Sequence, residues 1–368
     1  MPIYMDRHDV PGATAADVAQ AHQEDLKIQD RFGCRALTYW FDEMRGTAFC
    51  LVEAPNERAV HEMHALAHGL IPHQILEVES SVVESFLGRI EDPPMAGAGG
   101  GVINESGLRV IMAVSVHPCA RSSPRMNAGE GNSQPRMIRR TISDAIDRYH
   151  GTIVEDGGRG YTVSFASARN AMECAIEIQR CIGESRAHAS MKECEVCIGF
   201  SAGIPVAGDA GFFGEAVQTA GRLCDIALPG QVVLSPSMRD LFPMERNGAI
   251  DRAGFSVLIP YELEFLHRLM DIVEDKWNDP DIDVTKLGNM IGTSKSQLFR
   301  KMVTLTGRSP NTFIREYRLR QAAALLENQT GTISEIAYEC GFSSLSYFSK
   351  CFKKRYGLLP SEYPVDAD

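Results

Sequence analysis

Apolar positions along the first ninety residues keep changing period. Short apolar runs rich in β-branched and aromatic residues mark strands at IYMDRH, CRALTYWFDEM, GTAFCLVEAP and HQILEVES, and helical spacing marks Ala15 to Arg31 and Glu57 to His68. The order β-α-β-β-α-β predicts a small sheet with both helices on one face. From Gly107 to Pro260 a second α+β pattern follows, with strands at LRVIMAVSV, TIVED, YTVSF, EVCIGFSAG and QVVLS and helices at MIRRTISDAIDRYH, ARNAMECAIEIQRCI and EAVQTAGRLCDIA. Beyond Pro260 the strands cease and YELEFLHRLMDIVEDKW opens a helical remainder. The stretch EDPPMAGAGGGVINES breaks the pattern with Pro93, Pro94 and glycines 97, 99, 100 and 101, so residues 91–106 read as a linker. The expected domains are 1–90, 107–260 and 261–368, which suits a 368-residue chain too long for one core.

The helical remainder repeats itself. A shift of 49 residues lays Val284 on Ile333, Leu287 on Ile336, Gly292 on Gly341, Ser294 on Ser343, Leu298 on Tyr347 and Val303 on Phe352. Each copy reads as a helix, a glycine turn, a serine N-cap and a second amphipathic helix, the grammar of a helix-turn-helix.

Charge sharpens this picture. The chain carries a net charge of -11, yet Val284 to Tyr356 alone is +8 and the remainder -19. A basic block on an acidic body confines attraction for phosphate to one module. No run of eighteen apolar residues occurs, and Asp6, Arg7, His8 and Asp9 stand where a signal peptide needs its apolar stretch, so a cytosolic protein with reduced thiols and no membrane partner is expected. The CxxC from Cys194 to Cys197 lies in a predicted strand, where residues three apart face opposite ways and cannot close on one metal.

The segments LGNMIGTSKSQLFRKMVTLTGRSPNTFIREYRLRQAAALL and ISEIAYECGFSSLSYFSKCFKKRYGLLPSEY closely resemble the AraC/XylS DNA-binding domain, at Gly292, Arg300, Gly307, Pro310, Arg318, Ile336, Ala337, Gly341, Phe342, Phe348, Phe352, Gly357 and Pro360. The resemblance implies two recognition helices in successive major grooves of double-stranded promoter DNA. Lys295, Ser296, Phe299 and Arg300 occupy the exposed N-terminal turns of the first recognition helix, and Leu345, Ser346 and Lys350 those of the second. Arg300 suits bidentate pairing with guanine, whereas Lys353, Lys354 and Arg355 suit phosphates. Leu298, Phe348 and Phe352 read as core.

The strings HGTIVEDGGRGYTVSFASARNAMECAIEIQ and CIGFSAGIPVAGDAGFFGEAVQTAGRLCDIALPGQVVLSPSMRDLF resemble the catalytic domain of class III adenylate and guanylate cyclases. That resemblance implies two metal-holding carboxylates, but Ser115 and Arg159 stand at those positions, Gln218 replaces an asparagine, and only the companion arginine persists, as Arg222. An arginine repels divalent ions and a serine is no hard anionic ligand, so the expectation is a degenerate, inactive domain. It is left to serve as a dimerisation scaffold, as a nucleotide pocket keeping Arg222, or as a spacer.

Six of the ten histidines fall in the first 73 residues: His8, His22, His61, His64, His68 and His73. His22 and Asp25 share one helix face, and His61, His64 and His68 form a stripe on the other helix. His8 ends a strand on whose face Tyr4 and Asp6 also lie. Ligands from two helices and a strand converge when both helices cover one sheet face, and imidazoles with a carboxylate or Cys50 suit nickel, copper or zinc. YMDRH, AHQEDL, CLVEAPNERAV and MHALAHG resemble a family of small ferredoxin-like nickel-binding proteins. That resemblance implies His8, His22, Asp25, Cys50, Glu53, His64 and His68 as ligands, and His61 and His73 fall outside it.

Together these readings predict a multidomain α+β protein. A ferredoxin-like metal-binding domain and a cyclase-like domain would bias an all-α tandem helix-turn-helix domain. The function expected is a one-component transcription regulator, acting as a homodimer on DNA with RNA polymerase as a further partner. The alternatives are sensing of a nucleotide or other small molecule by the middle domain, and an active cyclase with a DNA-binding output.

Overall fold

A computed structural model describes residues 1–93, 102–118, 133–157, 160–187, 194–242 and 254–363, with backbone alone for 117–118, 133–136, 185–187 and 194–195. The N-terminal domain follows the predicted order: β1 (Ile3–Asp9), α1 (Ala15–Ile28), β2 (Arg35–Asp42), β3 (Thr47–Glu53), α2 (Glu57–Ala67) and β4 (Gln74–Val78). Its antiparallel sheet runs β2-β3-β1-β4. Thr14 starts α1 through a capping box with Asp17, and Asn56 starts α2 by accepting from the Ala59 N–H. Strand alternation then sorts the side chains. Tyr4, Cys50 and Val52 face the helices, whereas Met5, Trp40, Phe49 and Leu51 face the other way.

That second face is not solvated. It packs on α3 (Ser80–Leu87), a helix the sequence reading passed over, and on the middle domain through Ile111, Val206 and Phe213. Buried Arg109 fixes the junction, donating from Nε to the Phe86 carbonyl and from Nη2 to the Leu87 carbonyl, so that it satisfies the open end of α3. The stretch read as a linker is held over its described second part. Ile103 N–H donates to Tyr39 Oη, Phe41 N–H to the Glu105 carbonyl, and Ser106 Oγ to Asp42.

The middle domain contains β5 (Arg109–Pro118), α4 (Ser133–Arg148), β6 (Thr152–Asp156), β7 (Gly160–Phe165), α5 (Ala168–Ala187), β8 (Cys194–Gly203), α6 (Gly214–Ile226), β9 (Val232–Leu234), α7 (Ser237–Leu241) and β10 (Phe255–Val257). Its six-stranded sheet runs β10-β9-β8-β5-β7-β6. Helices α4 and α5 bury one face. On the other lie α6 and α8 (Pro260–Lys276), the helix predicted to open the C-terminal domain. The CxxC lies in β8 as expected.

The rest is helical: α9 (Val284–Ile291), α10 (Lys295–Thr306), α11 (Pro310–Glu327), α12 (Ile333–Glu339) and α13 (Leu345–Tyr356). Both predicted helix-turn-helix pairs form, with Gly292 and Gly341 in the left-handed region at the turns. The second turn is one residue longer, because Ser344, not Ser343, caps α13. The repeat spacing is therefore 49 before the turn and 50 after it. Leu298 and Met302 correspond to Phe348 and Phe352, all four fully buried, whereas Tyr347 is 50% exposed and Val303 40% exposed. This corrects the pairing of Leu298 with Tyr347 and of Val303 with Phe352. Among the described residues, no helix is long and apolar enough to cross a membrane.

Candidate metal centre and nucleic-acid interface

The helix-facing side of the N-terminal sheet carries Asp6 on β1, directly opposite Cys50 on β3, with His8 two residues along from Asp6. Asp25 descends from α1 and His64 from α2, while His68 caps the end of α2. His64 is fully buried between two carboxylates, with Nε2 2.7 Å from Asp6 Oδ2 and Nδ1 3.1 Å from Asp25 Oδ1. His68 Nε2 lies 3.1 Å from the same Nδ1 and 3.3 Å from Asp25. The Cys50 N–H donates to Asp6 Oδ1 at 3.2 Å. His8 Nε2 is 3.2 Å from Asp6 Oδ1 but off the hydrogen-bond direction, so both nitrogens of this buried ring are left without a hydrogen bond.

Protonation follows from this packing. Burial disfavours the charged form of His64, but the Asp6 charge and hydrogen bonds to Asp25 and Asp6 outweigh it and lift its pKa to about 10. Burial raises the Asp6 carboxyl, and His64 and His8 more than reverse this, holding it well below the usual carboxylate range. Asp25 is lowered in the same balance by His64 and His68. Burial, with Asp6 and Asp25 nearby, pushes the Cys50 thiol well up. The metal-free cluster is thus an imidazolium clamped by two carboxylates beside a neutral thiol.

Two ligand groups share His64: Asp6, His8, Cys50 and His64, and Asp25, His64 and His68, each with donor atoms within 4.8 Å of one another. A nitrogen, oxygen and sulfur set of this softness suits nickel, copper or zinc rather than calcium or magnesium. The two buried nitrogens of His8, which have no hydrogen-bond partner among the described residues, are available to a ligand. A cavity of about 60 Å³ borders the cluster, with His8, Asp25, Cys50 and His68 in its wall.

Not every expected ligand arrives. His22 lines the same cavity but pairs with Asp92 at 3.1 Å rather than joining the cluster. Glu53 lies three residues beyond Cys50 on β3, hence on the opposite sheet face, where it meets the N-terminal amine and Arg35. It is not a ligand of this cluster. His61 is exposed, and His73 accepts from the Asp9 N–H. Asp6, which the resemblance does not imply as a ligand, joins the cluster because strand alternation puts it on the face of His8.

At the other end of the chain, Ser294 and Ser344 cap α10 and α13 by accepting from Gln297 N–H and Tyr347 N–H. Lys295, Ser296, Phe299, Arg300, Leu345, Ser346, Lys350, Lys353 and Lys354 are all exposed, as an interface requires. Arg355 is not so placed. It is half-buried over the Tyr356 ring and lines a cleft with Asp225, Arg308 and Arg320.

Residues 4–78 match the family described as nickel responsive protein SCO4226-like, and residues 287–364 that described as helix-turn-helix domain. Among solved structures, SCO4226 from Streptomyces coelicolor is 35% identical, with 21% of this chain and 94% of that one covered and a TM-score of 0.20. An adenylate/guanylate cyclase/hydrolase from Silicibacter pomeroyi is 28% identical, with 38% and 83% covered and a TM-score of 0.31. The helix-turn-helix transcriptional regulator MtrA of Neisseria gonorrhoeae is 32% identical over 98 residues, or 27% of this chain and 31% of that protein. Histidine kinase P4 of Formosa agariphila is 42% identical over 100 residues, or 27% of this chain and 7% of that one. The chain thus spans less than a third of the length of these two relatives, and the matches fall on its separate domains.

In the middle domain, Arg222 has its guanidinium fully engaged within the protein. Its guanidinium donates to Glu274 at 3.0 and 2.6 Å and to Asp271 at 2.6 Å, and meets His267 Nδ1 at 3.0 Å, all on α8. The residue expected as a nucleotide-binding remnant instead clamps α6 to α8. Ser115 lies opposite Gly160 in the β5–β7 pair, and Arg159 falls outside the described residues.

Proposed function

We propose that this chain is a one-component, sequence-specific DNA-binding transcription regulator whose N-terminal domain takes up a transition metal, nickel first among nickel, copper and zinc. The observation that carries the reading is the buried Asp6–His8–Cys50–His64 cluster, with two orphaned nitrogens on His8, in the same chain as two exposed, serine-capped recognition helices. Asp6, His8, Cys50 and His64 would hold the ion, with Asp25 and His68 on the far side of the His64 ring. A bound divalent ion supplies positive charge and directed bonds, where the metal-free protein supplies the His64 proton. Lys295, Ser296, Phe299, Arg300, Leu345, Ser346 and Lys350 would face base edges, and Lys353 and Lys354 phosphates.

Coupling has a physical route in this account. The metal domain packs its second sheet face on the start of α6, whose far end carries Arg222 and Asp225. Asp225 accepts from Arg320 at 2.7 Å, and its carbonyl accepts from Arg308 at 3.2 Å, both in the DNA-binding domain. The middle domain then acts as a joint and, in a homodimer, as the pairing surface, without cyclase activity, since Ser115 and Arg159 replace the carboxylates the chemistry needs. The test is binding of the full chain to a selected duplex at fixed salt, with nickel and with chelator. A change of five- to 150-fold, the usual span of allosteric coupling, is expected, and equal affinity in both conditions would refute sensing.

A further inference from the structure

The two helix-turn-helix modules leave a groove of about 280 Å³ between them. Asn311, Arg315 and Arg318 of α11 line one side, and Ser343 and Tyr347 line the other, just before and within the first turn of α13. Among the described residues, everything that lines the groove is neutral or cationic, in a chain whose net charge is -11. Asp279, on the adjoining loop, turns a carboxylate oxygen to the Asp281 N–H at 2.9 Å. Arg315 is half-buried, and among the described residues it has no ion-pair partner. Its neighbour Arg318 is structural, donating to the Trp277 and Asp279 carbonyls at 2.6 Å each. Gly341 closes the turn onto this rim. With φ at +72° and a Cβ position 2.7 Å from the Asn278 carbonyl oxygen, no other residue fits there.

The groove's place in the fold suggests its occupant. Tyr347 is flanked by Ser346, a candidate base reader, and by the buried core residue Phe348. If α13 enters a major groove by its N-terminal turn, as the reading above has it, the wall formed by Ser343 and Tyr347 adjoins that turn, and the cationic lining of the groove complements a backbone phosphate. We propose that this groove holds a DNA phosphate between the two recognition helices, bound by Arg315 with Asn311, Ser343 and Tyr347. The contact fixes the register of the two modules and reads no base. This inference rests on the DNA-binding reading above.

The test is fluorescence anisotropy of the full chain on its selected duplex and on a random duplex, across a potassium chloride series. Arg315→Gln is expected to weaken both duplexes by the same factor, about tenfold, the size of one charge-assisted hydrogen bond. It should also make the log–log salt slope shallower by about one. Arg315→Lys should keep the slope. Arg315→Met retains the packed stem and replaces the glutamine variant if circular dichroism shows that variant misfolded. An unchanged slope, or a loss confined to the selected sequence, would overturn the proposal. Inorganic phosphate is the second arm. If it raises the melting temperature of the wild type but not of Arg315→Gln, relative to chloride at equal ionic strength, while DNA affinity is unmoved by the substitution, the groove holds a free anion and not DNA. Absence of salt-dependent binding by the wild type would instead refute the DNA-binding reading itself.

Discussion

Replacing Asp6 by asparagine removes one carboxylate from each of two buried neighbours, His64 and His8. In the metal-free protein, the lift of His64 from 6.5 to about 10 corresponds to roughly 5 kcal/mol of preference for the charged ring. The Asp6 charge is its largest favourable cause. Breaking a buried pair from one side costs about 3–5 kcal/mol, so Asp6→Asn should destabilise the metal-free N-terminal domain by that amount at pH 6. The pH dependence has a definite sign. A histidine whose pKa is raised on folding stabilises fully below its unfolded value of 6.5, and this contribution disappears as pH rises toward 10. Asp6, lowered from 3.8, contributes above that value and is lost in acid. The wild type should therefore hold a plateau from about pH 4 to 6.5 and weaken steadily on the alkaline side, with Asp6→Asn lower and flatter. Hydrogen-exchange protection of peptides from β1 and α2, corrected for intrinsic rates and measured with chelator present, reads this directly. Equal wild-type protection at pH 6 and 9.5, or a variant as protected as the wild type at pH 6, would refute the buried clamp.

Other substitutions probe the remaining joints. Phe348→Ala should cost about 3–5 kcal/mol in urea unfolding of the C-terminal domain. Tyr347→Ala should cost less than about 1 kcal/mol, and equal costs would restore the uninterrupted 49-residue spacing. Arg300→Ala should lose about 1–3 kcal/mol on the selected duplex with little change on random DNA, whereas Lys353→Ala should weaken both alike and reduce the salt slope by about one; the opposite pattern would exchange their roles. Arg222→Met should loosen α8 from α6, seen as faster limited proteolysis within 258–280 with no change in nucleotide affinity. Loss of a measurable nucleotide affinity would revive the middle-domain pocket.

Much of this was legible in the chain, for identifiable reasons. Strands of the N-terminal domain show as short, nearly continuous apolar runs because the sheet is buried on both faces, and its helices, buried on one, show helical spacing. The same parity argument that groups Asp6 with His8 also separates Glu53 from Cys50. The ligand expectation erred where a resemblance was followed in place of that alternation. The longer second turn was hidden because Ser343 and Ser344 are adjacent and only capping geometry distinguishes them. Arg222 could not be placed from sequence, since its partners Asp271 and Glu274 lie 49 and 52 residues away on α8. Helix α3 is hard to read from the sequence because it is only eight residues long and begins one residue after β4, with Glu79 alone between the two elements.

The central claim is that an ion bound among Asp6, His8, Cys50 and His64 changes how tightly α10 and α13 hold DNA. Isothermal titration of nickel into the full chain, alone and saturated with its selected duplex, tests it in one measurement, because linkage requires DNA to shift nickel affinity by the factor by which nickel shifts DNA affinity. The account predicts a shift of at least fivefold that disappears in His8→Ala. Identical nickel isotherms with and without DNA would contradict it.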